Sequence, residues 1–250
     1  MQRYFVSKDQ FQGRKAVILG DDAHHIQRVM RLRPGDQVLV SDGAGRDCLA
    51  EIVAADNDEV TVQIVREQEA NGEPAVDVWI AQSLPKGDKM ETVIQKCTEL
   101  GASRFLPFTS ARTVVRYDGK KEAKRLERWA KIAKEAAEQA HRSRIPAIDA
   151  PRSWDQLLTM IPQAGAAFIC YEQEQQLGLR QALRRYREAA AEPAGPVLLI
   201  IGPEGGFDPA EVEACVAAGA KGISLGRRIL RTETAAVAGL SCILYEYGEI

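Results

Sequence analysis

The run Val197-Leu198-Leu199-Ile200-Ile201-Gly202-Pro203-Glu204-Gly205-Gly206-Phe207-Asp208-Pro209-Ala210-Glu211 passes from five apolar residues through a glycine-rich stretch into a helix start. Five consecutive Val, Leu and Ile residues bounded by turn residues mark a strand buried on both faces. Asp208 as a cap, Pro209 at the first helical position and Glu211 at the third carry the signature of a helix N-terminus. Strand, glycine loop and helix together are the unit of an α/β layer on a mainly parallel sheet, where ligands bind beyond the carboxyl ends of the strands. Three glycines within five residues let the backbone approach a ligand without interference from a Cβ. The loop has neither the Gly-Lys-Ser/Thr ending of a phosphate-binding loop nor the G-x-G-x-x-G dinucleotide spacing, so nucleoside triphosphates and NAD are disfavoured. Taken alone, it reads at least as readily as a structural turn.

A second loop, Ser224-Leu225-Gly226-Arg227-Arg228-Ile229-Leu230-Arg231-Thr232-Glu233-Thr234-Ala235, leads from a strand into the last helix. Leu225, Ile229 and Leu230 stand where polar residues are usual. An apolar loop is expected to be buried, with partners for its N–H and C=O groups from a bound adenine, its own domain or a partner subunit.

Working outward, the pattern after residue 75 is strand, helix, strand. Strands are predicted at Val76 to Ala81, Arg104 to Pro107, Ala166 to Cys170 and Gly222 to Leu225. Asp88 to Glu91 reads as a capping box before a helix that Gly101 stops. Leu126, Trp129, Ile132, Ala133, Ala136, Ala137 and Ala140 form one stripe of a basic helix from about Gly119 to Arg142. Further helices are predicted from Pro209 to Ala218 and from Thr232 to Tyr247. Before residue 70 the period is mostly two, with strands at Lys15 to Leu19, Gln37 to Ser41, Cys48 to Ala54 and Val60 to Val65, interrupted by one helix from about Ala23 to Arg31 under an Asp21 or Asp22 cap. Ala70 to Pro74 has linker composition, which divides the chain into a β-domain, 1–72, and an α/β domain, 73–250.

With 250 residues, 45% hydrophobic and 27% charged, the chain has the balance of a globular protein. Its longest strongly apolar run, Val197 to Ile201, is far short of the ~20 residues of a membrane-spanning helix, and the polar N-terminus lacks the layout of a secretory signal, so a cytoplasmic location is expected. Five separated cysteines and three histidines give no disulfide framework and no zinc-ligand spacing. The net charge of -2 hides segregation. Residues 1–35 carry seven basic and three acidic residues (+4), 36–75 two and ten (-8), and 104–144 twelve and five (+7). A localised basic surface is the footprint of a phosphate-backbone binder, although the Lys120 to Lys134 run is equally readable as a solvated helix face.

The two loops together make the chain recognisable. Gly202-Pro203-Glu204-Gly205-Gly206, followed by Leu225 to Ala235, resembles the two S-adenosylmethionine motifs of the ribosomal RNA small subunit methyltransferase E family. Lys96-Cys97-Thr98-Glu99-Leu100-Gly101 with Pro107 and Ser110-Ala111-Arg112, and Glu135 to Ala140 with Arg142, resemble that family's remaining signatures. The resemblance spans essentially the whole chain. It implies an α/β, SPOUT-type methyltransferase domain with a trefoil knot, preceded by a PUA-like β-barrel, and a homodimer. It further implies methylation of the uracil N3 of one uridine in the decoding region of 16S ribosomal RNA, with S-adenosyl-L-methionine as donor and no metal.

By the same resemblance Gly202, Glu204, Gly205 and Gly206 form one wall of the cofactor site and Leu225, Gly226, Ile229, Leu230, Arg231, Thr234 and Ala235 the other, with Tyr171 and Glu172 as a third side. An imide N–H is a poor nucleophile until its proton leaves, and an Arg can stabilise the resulting anion. Arg112 and Arg231 are the candidates, with Glu233 as proton acceptor; each is also readable as an ion-pair partner or helix-end charge. Candidates for phosphate contacts are Arg3, His24, Arg28, Arg31 and Arg33 in the first domain and Arg112, Arg116, Lys120, Lys121, Arg142 and Arg144 beyond it. Tyr4, Phe5 or Phe207 would stack on an unstacked base, or simply be core. The competing readings are methylation at another atom and a noncatalytic RNA-binding assembly factor. The only asparagines, Asn57 and Asn71, precede the boundary, which disfavours a ribose-methylating site built on Asn.

Overall fold

Apolar and polar residues alternate along Lys15–Leu19 and Gln37–Ser41, and both segments are strands that bury Ala16, Ile18, Val38 and Val40 and turn the intervening residues outward. In the computed structural model, which describes residues 1–56, 58–69, 72–115, 119–189 and 195–250, they belong to a unit formed by 1–73 with 134–145. Its elements are β1 (Arg3–Phe5), β2 (Phe11–Gln12), β3 (Lys15–Leu19), α1 (Gly20–His24), β4 (Gln37–Ser41), β5 (Asp47–Asp56) and β6 (Glu59–Gln68). The six strands form one sheet in the order β1-β4-β5-β6-β3-β2, parallel between β1 and β4 and antiparallel elsewhere. Tyr4, Ile18, Ile26, Ile52 and Val62 meet in its core.

The helix expected from Ala23 starts earlier, at Gly20, without a side-chain cap, and its second half, His25–Val29, is a π-turn. Ile26 is fully buried beneath this turn, and the Tyr4 hydroxyl lies 3.0 Å from His25 Nδ1. Arg31 ends the segment in the left-handed region at φ 56°.

The second unit comprises 74–133 and 146–250. It contains β7 (Val78–Ser83), α2 (Lys89–Leu100), β8 (Arg104–Phe108), α3 (Gly119–Gln139, whose residues from Lys134 on belong to the first unit), β9 (Ala147–Ile148), α4 (Trp154–Leu158), β10 (Ala166–Cys170), α5 (Leu179–Ala189), β11 (Val197–Ile201), α6 (Pro209–Ala217), β12 (Lys221–Ile223) and α7 (Thr232–Tyr247). The sheet order is β12-β10-β11-β7-β8-β9 and every pair is parallel, so all the carboxyl ends lie along one edge. All five side chains of β11 are buried, each worth roughly 1.5–3 kcal/mol. Helix α7 lies close on β11, since a Cβ on Gly239 would meet Leu199 Cδ2 at 2.5 Å.

Three local expectations change. Asp88 caps α2 by position, but its side chain makes no cap hydrogen bond. Helix α3 stops at Gln139 rather than Arg142, because His141 turns left-handed at φ 56° and the Arg142 N–H reaches back to the Ala137 carbonyl. Strands β1, β2 and β9 and helices α4 and α5 are additional to the elements read from the sequence. Two linker positions, 70 and 71, lie outside the described residues. Among those described, no helix is long and apolar enough to cross a membrane.

Candidate cofactor site

Segments leaving the carboxyl ends of neighbouring strands enclose a cavity of about 610 Å³ in the second unit, a volume suited to an organic cofactor. Its walls are Cys170 to Glu172 at the end of β10, Ile201 to Phe207 at the end of β11 and Ser224 to Thr232 after β12, joined by Ala235 of α7 and by Lys89 from the start of α2.

The glycine loop owes its shape to a tight turn and to contacts from outside. The Gly206 N–H donates to the Pro203 carbonyl at 2.9 Å, and Gly206 itself is left-handed at φ 68°. A Cβ there would lie 2.5 Å from Glu172 Oε1. The Gly202 carbonyl accepts from Thr232 Oγ1 at 2.6 Å, and the Gly205 carbonyl from Arg112 Nη1 at 2.9 Å. Glu204 Oε1 accepts from Lys89 Nζ at 2.6 Å and from the Lys86 N–H at 3.0 Å. Burial alone would raise the Glu204 carboxyl, but these hydrogen bonds outweigh it and hold the group below its ordinary range. Beyond the loop the capping box is complete: Asp208 accepts from the Ala210 N–H, and Glu211 accepts from the Asp208 and Ala111 N–H groups. Cys170 is different in character, since burial pushes its thiol up to about 12.

Tyr171, Glu172, Gly202, Glu204, Gly205, Gly206, Leu225, Gly226, Ile229, Leu230, Arg231 and Ala235 all line the cavity. Thr234 does not; it is exposed on the first turn of α7. Ile229 departs from the expectation of a buried apolar loop, being 90% exposed. Of the residues considered for chemistry, Arg231 lines the cavity as the N-cap of α7. Arg112 stands behind the wall, with its guanidinium on the Gly205 carbonyl and 3.5 Å from Asp208. Glu233 is not part of the lining, and its Oε2 is buried without a partner among the described residues. Lys89, Cys170, Arg227 and Arg228 line the cavity without having been singled out from the sequence. The two arginines lie inside the motif already quoted, and Lys89 follows the carboxyl end of β7, so its position was the available signal.

The phosphate-contact candidates separate by exposure. His24, Arg28, Arg31, Arg33 and Arg144 are exposed in the first unit, and Arg112, Lys120 and Lys121 in the second; Arg116 lies outside the described residues. Arg3 and Arg142 are buried instead. Arg3 is paired with Asp47 at 2.5 Å and Arg142 with Glu73 at 2.6 Å, so neither guanidinium is presented to a phosphate. Tyr4, Phe5 and Phe207 are likewise buried; Phe207 stacks parallel to Phe108 with ring centres 6.4 Å apart, so none of the three offers a free stacking face.

Residues 72–244 match the RNA methyltransferase domain and residues 18–65 the RNA methyltransferase PUA domain. The ribosomal RNA small subunit methyltransferase E of Bacillus subtilis is 41% identical over 250 residues, covering 98% of this chain and 97% of that protein. The chain belongs to the ribosomal RNA small subunit methyltransferase E family. A family member from Neisseria gonorrhoeae, crystallised bound to S-adenosyl methionine, superposes with a TM-score of 0.84 at 27% identity, covering 98% of this chain and 97% of that one. A putative methyltransferase from Legionella pneumophila, in complex with the same cofactor, does so with a TM-score of 0.85 at 30% identity and coverages of 97% and 96%. In this family member the PUA-like part is the six-stranded N-terminal sheet and the methyltransferase domain carries the parallel one.

Proposed function

We propose that the cavity holds S-adenosyl-L-methionine and that the chain methylates the uracil N3 of one uridine in the decoding region of 16S ribosomal RNA. The observation that carries this reading is the convergence of the glycine loop and the Leu225 to Arg231 loop on one cavity at the carboxyl ends of β10, β11 and β12. Two structural relatives hold that cofactor, which supports the choice of ligand. The residues fit it: Leu225, Leu230 and Ala235 offer apolar surface for an adenine, Glu172 and Glu204 supply carboxylates, and Gly206 leaves space where a Cβ would press on Glu172.

The bound sulfonium supplies an activated methyl group. The chain has to hold the uracil in line and favour loss of its N3 proton, which passes to solvent water because Glu233 is not part of the cavity lining. Charge from that loss spreads onto the flanking carbonyl oxygens, and Arg231 at the cavity wall is the group assigned to it. Arg112, already engaged with the Gly205 carbonyl, serves by holding the glycine loop. Presenting the base requires it to leave its stack, at roughly a few kcal/mol. The RNA backbone is met by His24, Arg28, Arg31, Arg33 and Arg144 of the first unit and by Lys120 and Lys121 of the second. The same reading includes a homodimer, a cytoplasmic location and a trefoil knot in the methyltransferase domain.

Mass mapping of nucleosides tests it, using small ribosomal subunits from a strain that lacks this protein, incubated with the chain and S-adenosylmethionine. One 3-methyluridine in the decoding region is expected. A methyl group on ribose or on another base would overturn the uracil reading, and cofactor-independent RNA binding without methylation would leave an assembly factor.

A further inference from the structure

We propose that Thr232 is a positioning residue whose hydroxyl, oriented by Gln82, holds the two walls of the cofactor cavity in register. Thr232 is the first residue of α7, directly after the Leu225 to Arg231 loop, and it is 6% exposed. Its Oγ1 donates to the carbonyl of Gly202, the first residue of the other loop, at 2.6 Å. Gln82 Nε2 donates to the same Oγ1 at 2.8 Å.

The direction of this relay follows from the chemistry of its ends. A carbonyl only accepts, so the single hydroxyl proton of Thr232 goes to Gly202, and Thr232 must accept from Gln82. Gln82 Nε2 also donates to the Ser83 carbonyl at 3.0 Å, another pure acceptor, which fixes which end of the amide faces inward. Gln82 is fully buried near the end of β7 and pairs in register with Ile201, the residue before Gly202. Its Oε1 has no partner among the described residues. A buried amide kept in place with an unmet acceptor is a cost, and what the fold gains is the donor that polarises and aims Thr232.

The inference rests on the cofactor reading above. A loop rich in glycine is free to adopt many conformations, and fixing its first carbonyl to the start of α7 sets the gap in which the nucleoside lies. Replacing Thr232 with Val keeps the shape, removes the proton for Gly202 and strands the Gln82 donor.

Calorimetric titration with S-adenosylhomocysteine tests this on the wild type, Thr232→Val, Thr232→Ser and Gln82→Met, with thermal unfolding recorded for each. The expected result is about tenfold weaker binding for Thr232→Val, binding within about threefold of wild type for Thr232→Ser, and a loss of about fivefold for Gln82→Met. Wild-type affinity in Thr232→Val overturns the proposal, as does an equal loss in Thr232→Ser. Should Thr232→Val fail to fold, Gln82→Met decides, and undiminished affinity there overturns the proposal. A wild type that does not bind at all overturns the cofactor reading itself, an outcome distinct from a bound wild type with indifferent variants.

Discussion

The loop Gly202 to Phe207 is held by three side chains and one backbone N–H from outside it, whereas Leu225 to Arg231, across the same cavity, turns most of its side chains to solvent. Thr232, Arg112, Lys89 and the Lys86 N–H all grip the first loop, and Phe207 anchors its end in the aromatic core. The second is shaped by Ser224, which exchanges hydrogen bonds with Gly226, and leaves Arg227, Arg228, Arg231 and Ile229 exposed. One wall is therefore preorganised, and the other keeps its cationic groups available. This division suits a site that must fix a small cofactor before a large polyanion arrives, because ordering costs already met in folding are not met again on binding.

If Arg231 of the outer loop acts on substrate rather than on cofactor, Arg231→Ala should lower methyl transfer by about 100- to 1,000-fold while cofactor affinity moves only a few-fold. Single-turnover rates and calorimetry together check this, and a parallel loss of both would erase the contrast between the walls. On the inner loop, Gly206→Ala forces a side chain into the left-handed region and against Glu172. Cofactor affinity should fall by about tenfold and stability by roughly 1 kcal/mol, read by titration and urea unfolding.

A smaller effect belongs to the Lys89–Glu204 pair. Because the Glu204 carboxyl is held below its ordinary value of 4.5, its contribution is fully present above that pH and fades as pH falls through the lowered value. Thermal midpoints between neutral pH and acid should decline less steeply below about pH 4.5 in Lys89→Met than in wild type. Identical slopes would show that the pair does not brace the loop. The smallest effect is expected at Ile229→Ser, where a side chain 90% exposed should change stability by no more than about 0.5 kcal/mol in urea unfolding. A larger loss would mean that the outer loop is as rigidly built as the inner one.

Elements with a strong local signal were legible in the sequence. Strands β3, β4, β10 and β11 and helix α7 have the predicted bounds, because unbroken or alternating apolar runs fix a strand and Gly248 stops the last helix in the left-handed conformation. Helix α5 also had a signal, with Leu179, Ala182 and Leu183 buried at helical spacing, but a mostly polar composition obscured it. Strand β1 is three residues long, and its Arg3 is tolerated inside only because Asp47 meets it across the sheet. Long-range pairing of this kind also explains Arg142, whose charge looks available until Glu73, 69 positions away, is placed beside it. The glycine loop announced itself through composition. The Gln82–Thr232 contact that ties it down joins residues 150 positions apart, a relation that no local pattern records.

The most direct measurement is a crystal structure of the chain with S-adenosylhomocysteine. The nucleoside is expected between Gly202–Gly206 and Leu225–Leu230, with the Thr232 hydroxyl still on the Gly202 carbonyl. Nucleoside density elsewhere, or those two loops closed on each other with the protein's own side chains filling the gap, would contradict it.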